Sequence, residues 1–214
     1  MKKLLFWMVL IVGTVVLLGS CAKKEETDDA ATTSCATDTT ASGSITVGSE
    51  TMSGVYLSPC YTGFADMAGQ EIFPSDVKSG YTAVVVTGDT AISEEILMYT
   101  DTACSTPSTT WKQVRTDFTV GSASGSNYAV TFKDTTVKVK PSTDVAATHF
   151  TTFAANNPNI TETFTAGTET SVTSSGNTQY NLFLVTSTTV KHGEADDNAT
   201  PSEADSMVMT KACQ

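Results

Sequence analysis

The sequence predicts an all-β domain, an antiparallel barrel or sandwich of about eight or nine short strands with one helix. Three observations carry this prediction. From about Ser44 onward the chain is rich in Thr, Val, Tyr and Phe, which fit a half-buried pleated surface. Apolar and polar residues alternate in several stretches, which Gly, Asn, Asp and Pro separate. The crossover helices that parallel strands require are missing.

The first 20 residues are predicted to be an export signal. Two lysines at positions 2 and 3 precede an apolar run from Leu4 to Leu18, which is shorter than the 18 or so residues of a membrane-spanning helix. A signal of this kind directs the rest of the chain out of the cytoplasm.

The signal ends in Leu18-Gly19-Ser20-Cys21, which resembles the lipobox of bacterial lipoproteins. There an aliphatic residue stands three positions before a lipid-modified cysteine, and two small residues lie between them. The resemblance implies that Cys21 carries diacylglycerol and is the first residue of the mature protein. The alternative is an ordinary secretory signal with a chance cysteine, which would export the domain as well.

The lipid determines the predicted location. Acyl chains contribute about 0.8 kcal/mol per buried methylene, so two or three chains anchor a protein without help from its folded domain. In bacteria with two membranes such lipoproteins are usually sent to the outer membrane unless Asp follows the cysteine, and here Ala22 follows it. We therefore expect a protein of the cell envelope that is lipid-anchored at the outer membrane.

The charge of the mature chain excludes one class of partner. Without residues 1–20 the chain has ten basic and 23 acidic residues, a formal charge of −13. Arg115 is its single arginine, and its lysines are scattered. Because nucleic-acid binding needs a basic face, nucleic acid is not expected as a partner.

Residues 21–43 are predicted to be a lipidated flexible tether, and residues 44–214 the β domain. The segment 22–43 contains no aromatic or large aliphatic residue, so it cannot bury enough apolar surface to offset the entropy lost on ordering.

Alternation is clearest between Lys112 and Val120, where Val114 and Phe118 are predicted on one face and Arg115 on the other. The predicted strands are Met52–Ser58, Tyr81–Thr87, Ala91–Tyr99, Lys112–Val120, Tyr128–Lys133, Thr136–Lys140, Ile160–Thr173, Tyr180–Val190 and Ser206–Lys211. Their inward faces need a common core.

One helix is predicted from apolar residues at helical spacing, namely Ala146, Phe150, Phe153 and Ala154. Either Ser142 or Asp144 can cap its start, and Asn156-Asn157-Pro158 would end it. We expect it to pack outside the β structure or to close one mouth of it.

Four cysteines remain once Cys21 is lipidated, and in an oxidising compartment they allow three disulfide connectivities. We favour Cys60 with Cys104, because each follows a predicted strand. The other pair is then Cys35 with Cys213, which would tie the tether to the last strand. Zinc binding is disfavoured because the short ligand spacings are missing, and no metal or cofactor is expected.

The cysteine-containing segments resemble a family. Residues from Ser53 to Cys60, and from Tyr99 to Pro107, resemble bacterial lipocalin-like proteins, which open with a Gly-x-Trp/Tyr strand ending near a cysteine and carry a Tyr-x-Asp-x-x-Cys-x-x-Pro turn. The hairpin from Tyr180 to Gly193 is similar to their penultimate strands. The resemblance covers most of residues 50–214 and implies an up-and-down barrel of about eight strands.

The sequence contains no set of residues at the spacing of a known catalytic motif. His149 and His192 fall on different predicted elements, and Gly121–Gly125 departs from the serine-elbow pattern. The acidic segment Glu194–Asp205 could ligate calcium, but a solvated turn explains it more simply because it lacks the EF-hand pattern. The protein is therefore expected not to be an enzyme.

Two functions fit these features. A barrel of eight strands can hold one small molecule or be filled by its own side chains. The aromatic residues available to do either are Tyr81, Tyr99, Trp111, Phe118, Tyr128, Phe132, Phe164 and Phe183. The first expectation is an envelope lipoprotein that binds a small apolar ligand or lipid. The alternative is a surface or structural module with a filled core, whose loops Gly63–Ser75 and Glu194–Asp205 contact protein partners.

Overall fold

The computed structural model describes residues 36–174, 176–204 and 207–213, so the predicted signal and lipid anchor lie outside the described part. The strands are β1 (Ile45–Val47), β2 (Glu50–Met52), β3 (Val55–Leu57), β4 (Ser79–Gly88), β5 (Ala91–Tyr99), β6 (Pro107–Ser124), β7 (Asn127–Pro141), β8 (Thr170–Thr173), β9 (Thr178–Val185), β10 (Thr189–His192) and β11 (Met209–Cys213). A 3-10 helix covers Thr62–Met67, and one α-helix, α1, covers Asp144–Ala155.

Eight strands form a closed ring in chain order. From β3 to β7 each strand pairs antiparallel with the next, and β9, β10 and β11 continue the meander. The ring closes where β11 pairs with β3. The short strand β8 extends the line of β9 along β7. The predicted all-β class and the up-and-down barrel with one short helix are confirmed.

The largest error in the predicted faces is at Arg115. Alternation places this residue opposite Phe118, but it lies over the ring of Phe132 in the barrel interior. The register of β6 against β7 shifts between Thr116 and Thr119, and Asp117 has a φ of 56°. This bulge changes which residues face inward, so Arg115 and Phe118 are on the same side.

Two long predicted strands are shorter or divided in the structure. The segment Ile160–Thr173 is strand only over β8, and Tyr180–Val190 is divided into β9 and the start of β10. The division occurs because the Thr186 hydroxyl accepts a hydrogen bond from the amide of Thr189 at 2.9 Å, which stabilises a tight turn.

Opposite ends of the barrel are covered by different elements. At the end with the β4–β5 and β6–β7 turns, the β1–β2 hairpin adds Ile45, Val47 and Met52 to the interior cluster. Gly48 between these two strands has a φ of 65°, and a Cβ atom there would lie 2.2 Å from the Tyr128 ring. At the other end, where β7 finishes, α1 packs Phe150 against Trp111.

The helix starts one residue away from either predicted cap. Thr143 is the N-cap, and its hydroxyl accepts a hydrogen bond from the amide of Ala146 at 3.0 Å. The same hydroxyl donates to Asp76 at 2.7 Å, and Asp76 also accepts a bond from Ser108 on β6. The cap therefore joins the helix to the loop before β4 and to the barrel.

Replacing this cap tests its contribution. We expect Thr143→Ala to lower the free energy of unfolding by about 1–2 kcal/mol, because an amide of the first helical turn and Asp76 both lose a partner. Thr152→Ala, on the exposed side of α1, is the matched control and should change stability by less than about 0.5 kcal/mol. Equal losses in urea unfolding of the two variants would contradict the capping role.

Residues 36–44, here called the strap, run along the outer wall of the barrel and belong to the same compact unit. The amide of Ser42 donates to the carbonyl of Val86 at 2.9 Å, and the amide of Ser44 donates to Asp89 at 3.1 Å. Asp38 bridges Lys112 and Lys140. The packed part of the chain thus reaches back from the predicted domain start at Ser44 to residue 36.

Candidate functional site

Five polar side chains meet inside the barrel and are here called the polar centre: Glu94, Gln113, Arg115, Asp134 and His192. They come from strands β5, β6, β7 and β10, so only the closed ring brings them together. In sequence they are up to 98 positions apart (94 to 192). Alternating patterns within single strands do not predict which side chains of different strands come into contact.

Arg115 organises the polar centre. Its Nε donates to Asp134 Oδ1 at 2.9 Å, its Nη2 donates to Gln113 Oε1 at 3.3 Å, and its Nη1 pairs with Glu94 Oε1. The guanidinium carbon lies 4.2 Å from the centroid of the Phe132 ring, a cation–π arrangement. Nε and Nη2 therefore have hydrogen-bond acceptors, whereas Nη1 contacts Glu94 as an ion pair without a hydrogen bond. Two carboxylates compensate the positive charge.

His192 approaches from the far side of the ring. Its Nε2 lies 3.9 Å from Glu94 Oε1, and its imidazole stacks on Phe183 at 5.4 Å between centroids. Asn181, on the strand beside it, is fully buried, and its Nδ2 has no hydrogen-bond partner among the described residues. Polar groups thus extend across the middle of the barrel.

Burial controls the electrostatics of this group. Removal from water raises the pKa of Asp134 above its ordinary value, and the nearby charges of Glu94 and Asp197 act in the same direction. Arg115 opposes this effect. The arrangement therefore depends on the guanidinium to keep two carboxylates inside the barrel.

Apolar side chains occupy the rest of the interior. The interior cluster consists of Ile45, Val47, Met52, Tyr56, Val84, Val86, Ile92, Phe118, Val130, Phe132, Phe183, Val185, Val190 and Met209. Phe118 contacts Phe183 edge-to-face at 5.3 Å and stacks with Phe132 at 6.1 Å. A second cluster at the helix end combines Val139, Phe150, Ala154 and Phe164. Large side chains therefore pack together in both halves of the barrel around the polar centre.

Two hollows lie outside the barrel along α1. One, of about 390 Å³, is lined by Asp144, Val145 and His149 among others, and the other, of about 410 Å³, extends from Thr148 to Phe164. Both open to solvent. His149 itself lies at the surface with its Nε2 2.6 Å from the Glu71 carbonyl oxygen.

The loop between β5 and β6 is fixed by a carboxylate and a disulfide. Asp101 accepts hydrogen bonds from the amides of Ala103, Ser105 and Thr106, and these bonds hold its pKa well below the ordinary value. The predicted Cys60–Cys104 disulfide is present and ties this loop to the segment after β3.

The remaining predicted site residues have mixed outcomes. Cys21 and Cys35 lie outside the described residues, so the lipid site and the Cys35–Cys213 pairing stay predictions. Cys213 is disulfide-bonded. In the acidic segment, Asp196 caps the turn that follows it through the amide of Asn198 at 2.6 Å.

The polar centre was missed by sequence reasoning. One signal pointed to it: Arg115, the single arginine of the chain, stands in the most regular alternating stretch, between Val114 and Phe118. An arginine in such a strand needs acceptors when it is turned inward, but its partners are distant in sequence.

Comparisons of the sequence with protein-family models and with curated proteins find no match. Across residues 36–174, 176–204 and 207–213, no helix combines the length and apolar composition needed to cross a membrane. In that same part of the chain, no three His, Cys, Asp or Glu side chains are grouped as ligands for a metal ion.

Proposed function

We propose that this chain is a non-enzymatic lipoprotein of the bacterial cell envelope, anchored through Cys21 at the outer membrane, whose barrel is an interaction module with a filled core. The observation that supports this proposal best is the occupied interior. Aromatic side chains pack around an ionic centre in which Arg115 is already paired with Glu94 and Asp134.

This choice reverses the order of the two expectations from sequence. An apolar ligand would have to displace Phe118, Phe132 or Phe183 and would meet the charged Arg115 in the middle of the barrel. Burying that ligand next to charged groups would also disturb their compensation, which is costly in a low-dielectric interior. Binding through exposed loops requires neither change.

The mutually paired charges also fit a structural use of the polar centre. A general base or nucleophile works best with an open approach to a reacting group. Here Arg115 donates to Asp134 and Gln113 and forms an ion pair with Glu94. The charged cluster therefore supports a scaffold more than a catalyst.

The anchor is tested by metabolic labelling of the full-length protein with radioactive palmitate in a bacterial host. We expect label on the wild type and on Cys35→Ser, and none on Cys21→Ser. Label that persists on Cys21→Ser would exclude this cysteine as the lipid site.

The module is tested separately from the anchor. A photocrosslinking amino acid at Thr200, in the acidic loop, or at Glu71, in the loop before β4, should give one recurring protein adduct in whole cells. The same probe at Thr152 on α1 is the control and should give none. Stoichiometric non-covalent lipid in the purified protein, without loop adducts, would instead support the ligand carrier.

A further inference from the structure

A carboxyl group is buried on the outer wall of the barrel, beneath the strap. Glu95 on β5 is fully shielded from solvent and lies on the face opposite to Glu94. The Ser93 hydroxyl donates to Glu95 Oε1 at 3.2 Å, and the Thr39 side chain of the strap lies close enough to interact with the same carboxyl. Burial raises the pKa of Glu95 above its ordinary value.

An ionic clamp at Asp38 helps to hold the strap over this carboxyl. Asp38 pairs with the Nζ of Lys112 and lies 3.2 Å from the Nζ of Lys140. The hydrogen bond from Lys112 holds the pKa of Asp38 below its ordinary value. Lys112 also reaches Glu169, at 3.2 Å. Two ammonium groups therefore hold Asp38 at the barrel wall, and the one of Lys112 is buried.

The same ammonium is the cation that faces Glu95. The charged groups acting on Glu95 are Lys112 from β6 and Asp38 from the strap, whereas β4 places the uncharged Ala83 opposite it. Lys140 and Glu169 act one step away by pairing with Asp38 and Lys112. When Glu95 is neutral, Lys112 is free to hold the strap. When Glu95 is ionised, it attracts Lys112 and repels Asp38.

We propose that the strap is a detachable latch on the barrel wall, closed over Glu95 while this carboxyl is protonated and loosened when the carboxyl ionises. This latch goes beyond the proposed function and does not depend on it. Opening would expose Glu95 to water, where the charged form is stable, and would release Asp38 from Lys112.

The direction of the pH effect follows from linkage. The pKa of Glu95 is raised in the closed state and returns to about its ordinary value of 4.5 once exposed. Opening therefore releases one proton at pH values between these two pKa values, and the latch loosens as pH rises through that window. The latch is tightest near pH 4.5, because at lower pH protonation of Asp38, whose ordinary pKa is 3.8, removes its pair with Lys112. Above the raised pKa of Glu95 the loosening is complete.

Hydrogen–deuterium exchange of the full-length protein tests the latch. The reporter is a peptide covering residues 36–44, which includes the Ser42 amide bonded to Val86. After correction for intrinsic exchange rates, we expect its protection to fall about tenfold for each pH unit inside the window and then to level off. Peptides from β4 and β6 are the internal reference and should keep their protection.

Three variants test the roles of Glu95 and Asp38 in the latch. Glu95→Gln should give strap protection that does not change with pH, and Asp38→Asn should give low protection at every pH. Glu203→Gln, an exposed loss of the same charge, should follow the wild type. Strap protection in the wild type that is constant from about pH 5 to about pH 9, or a Glu95→Gln profile with the wild-type slope, would overturn the proposal. The wild-type profile decides alone if Glu95→Gln does not fold.

Discussion

Replacing Arg115 with Met is expected to lower the free energy of unfolding by about 3–5 kcal/mol, measured by urea unfolding at neutral pH. The substitution keeps most of the side-chain volume but removes the guanidinium group. Glu94 and Asp134 would then share the barrel interior without a compensating positive charge, and Gln113 would lose its donor. Uncompensated buried charge is among the most destabilising changes a protein can carry.

Two controls separate this mechanism from a general loss of charge or packing. Lys133→Met removes a cation from the half-exposed pair with Asp117 and should cost less than about 1 kcal/mol. Adding Glu94→Gln and Asp134→Asn to Arg115→Met should recover much of the loss, since no carboxylate then remains unpaired. Similar stabilities of Arg115→Met and Lys133→Met would mean that Arg115 does not compensate the interior carboxylates.

The pH dependence of the Arg115→Met loss has a definite sign. Without the guanidinium, the pKa of Asp134, which burial already raises, rises further. A carboxyl with a raised pKa in the folded state costs stability when it ionises, so the loss should be largest at high pH. It should shrink as the pH falls toward the ordinary carboxyl pKa.

The barrel could be predicted because its information is local. The predicted strand Ala91–Tyr99 has the bounds of β5, and the turn residues between Thr87 and Ala91 marked the β4–β5 connection. Each strand needs one buried face, and the period of two shows that face directly. The helix was predictable for the same reason, since Ala146, Phe150 and Ala154 are buried at helical spacing.

The site could not be predicted because its causes are not local. Arg115 faces inward through a bulge at Asp117, and a bulge leaves the composition of a strand unchanged. From sequence the strap is predicted to be part of a flexible tether, because residues 36–43 are small and polar. It is ordered by pairing Asp38 with two lysines of β6 and β7, which only the folded barrel brings near.

The buried charges also help to explain why the strands of this barrel adopt one register. A core of Val, Met and Phe alone can be rearranged at little cost, whereas Arg115 needs two acceptors and the Glu94 carboxylate at fixed places. A shifted register of β6 against β5 or β7 would leave the guanidinium unpaired. We therefore infer that the polar centre fixes strand register, a use of buried polar groups that trades stability for a unique arrangement.

The second large effect is expected from Phe183→Ala, which should lower the free energy of unfolding by about 3–5 kcal/mol. Phe183 is fully buried between Phe118 and His192, so truncation leaves a space that a filled core cannot readily close. Phe153→Ala on α1 makes the same chemical change at a partly exposed site and should cost markedly less. Urea unfolding of both variants measures the difference.

The same variant distinguishes a filled barrel from a ligand carrier. If the interior is filled, benzene or xenon should stabilise Phe183→Ala and leave the wild type unchanged, because only the variant has an apolar space to accept the probe. A barrel with room for a ligand behaves in the opposite way. The wild type would then already be stabilised by the probe, and Phe183→Ala would cost less than about 1 kcal/mol, since its side chain would border an existing space. That outcome would return the apolar ligand to first place and remove the main support for a module that acts through its surface.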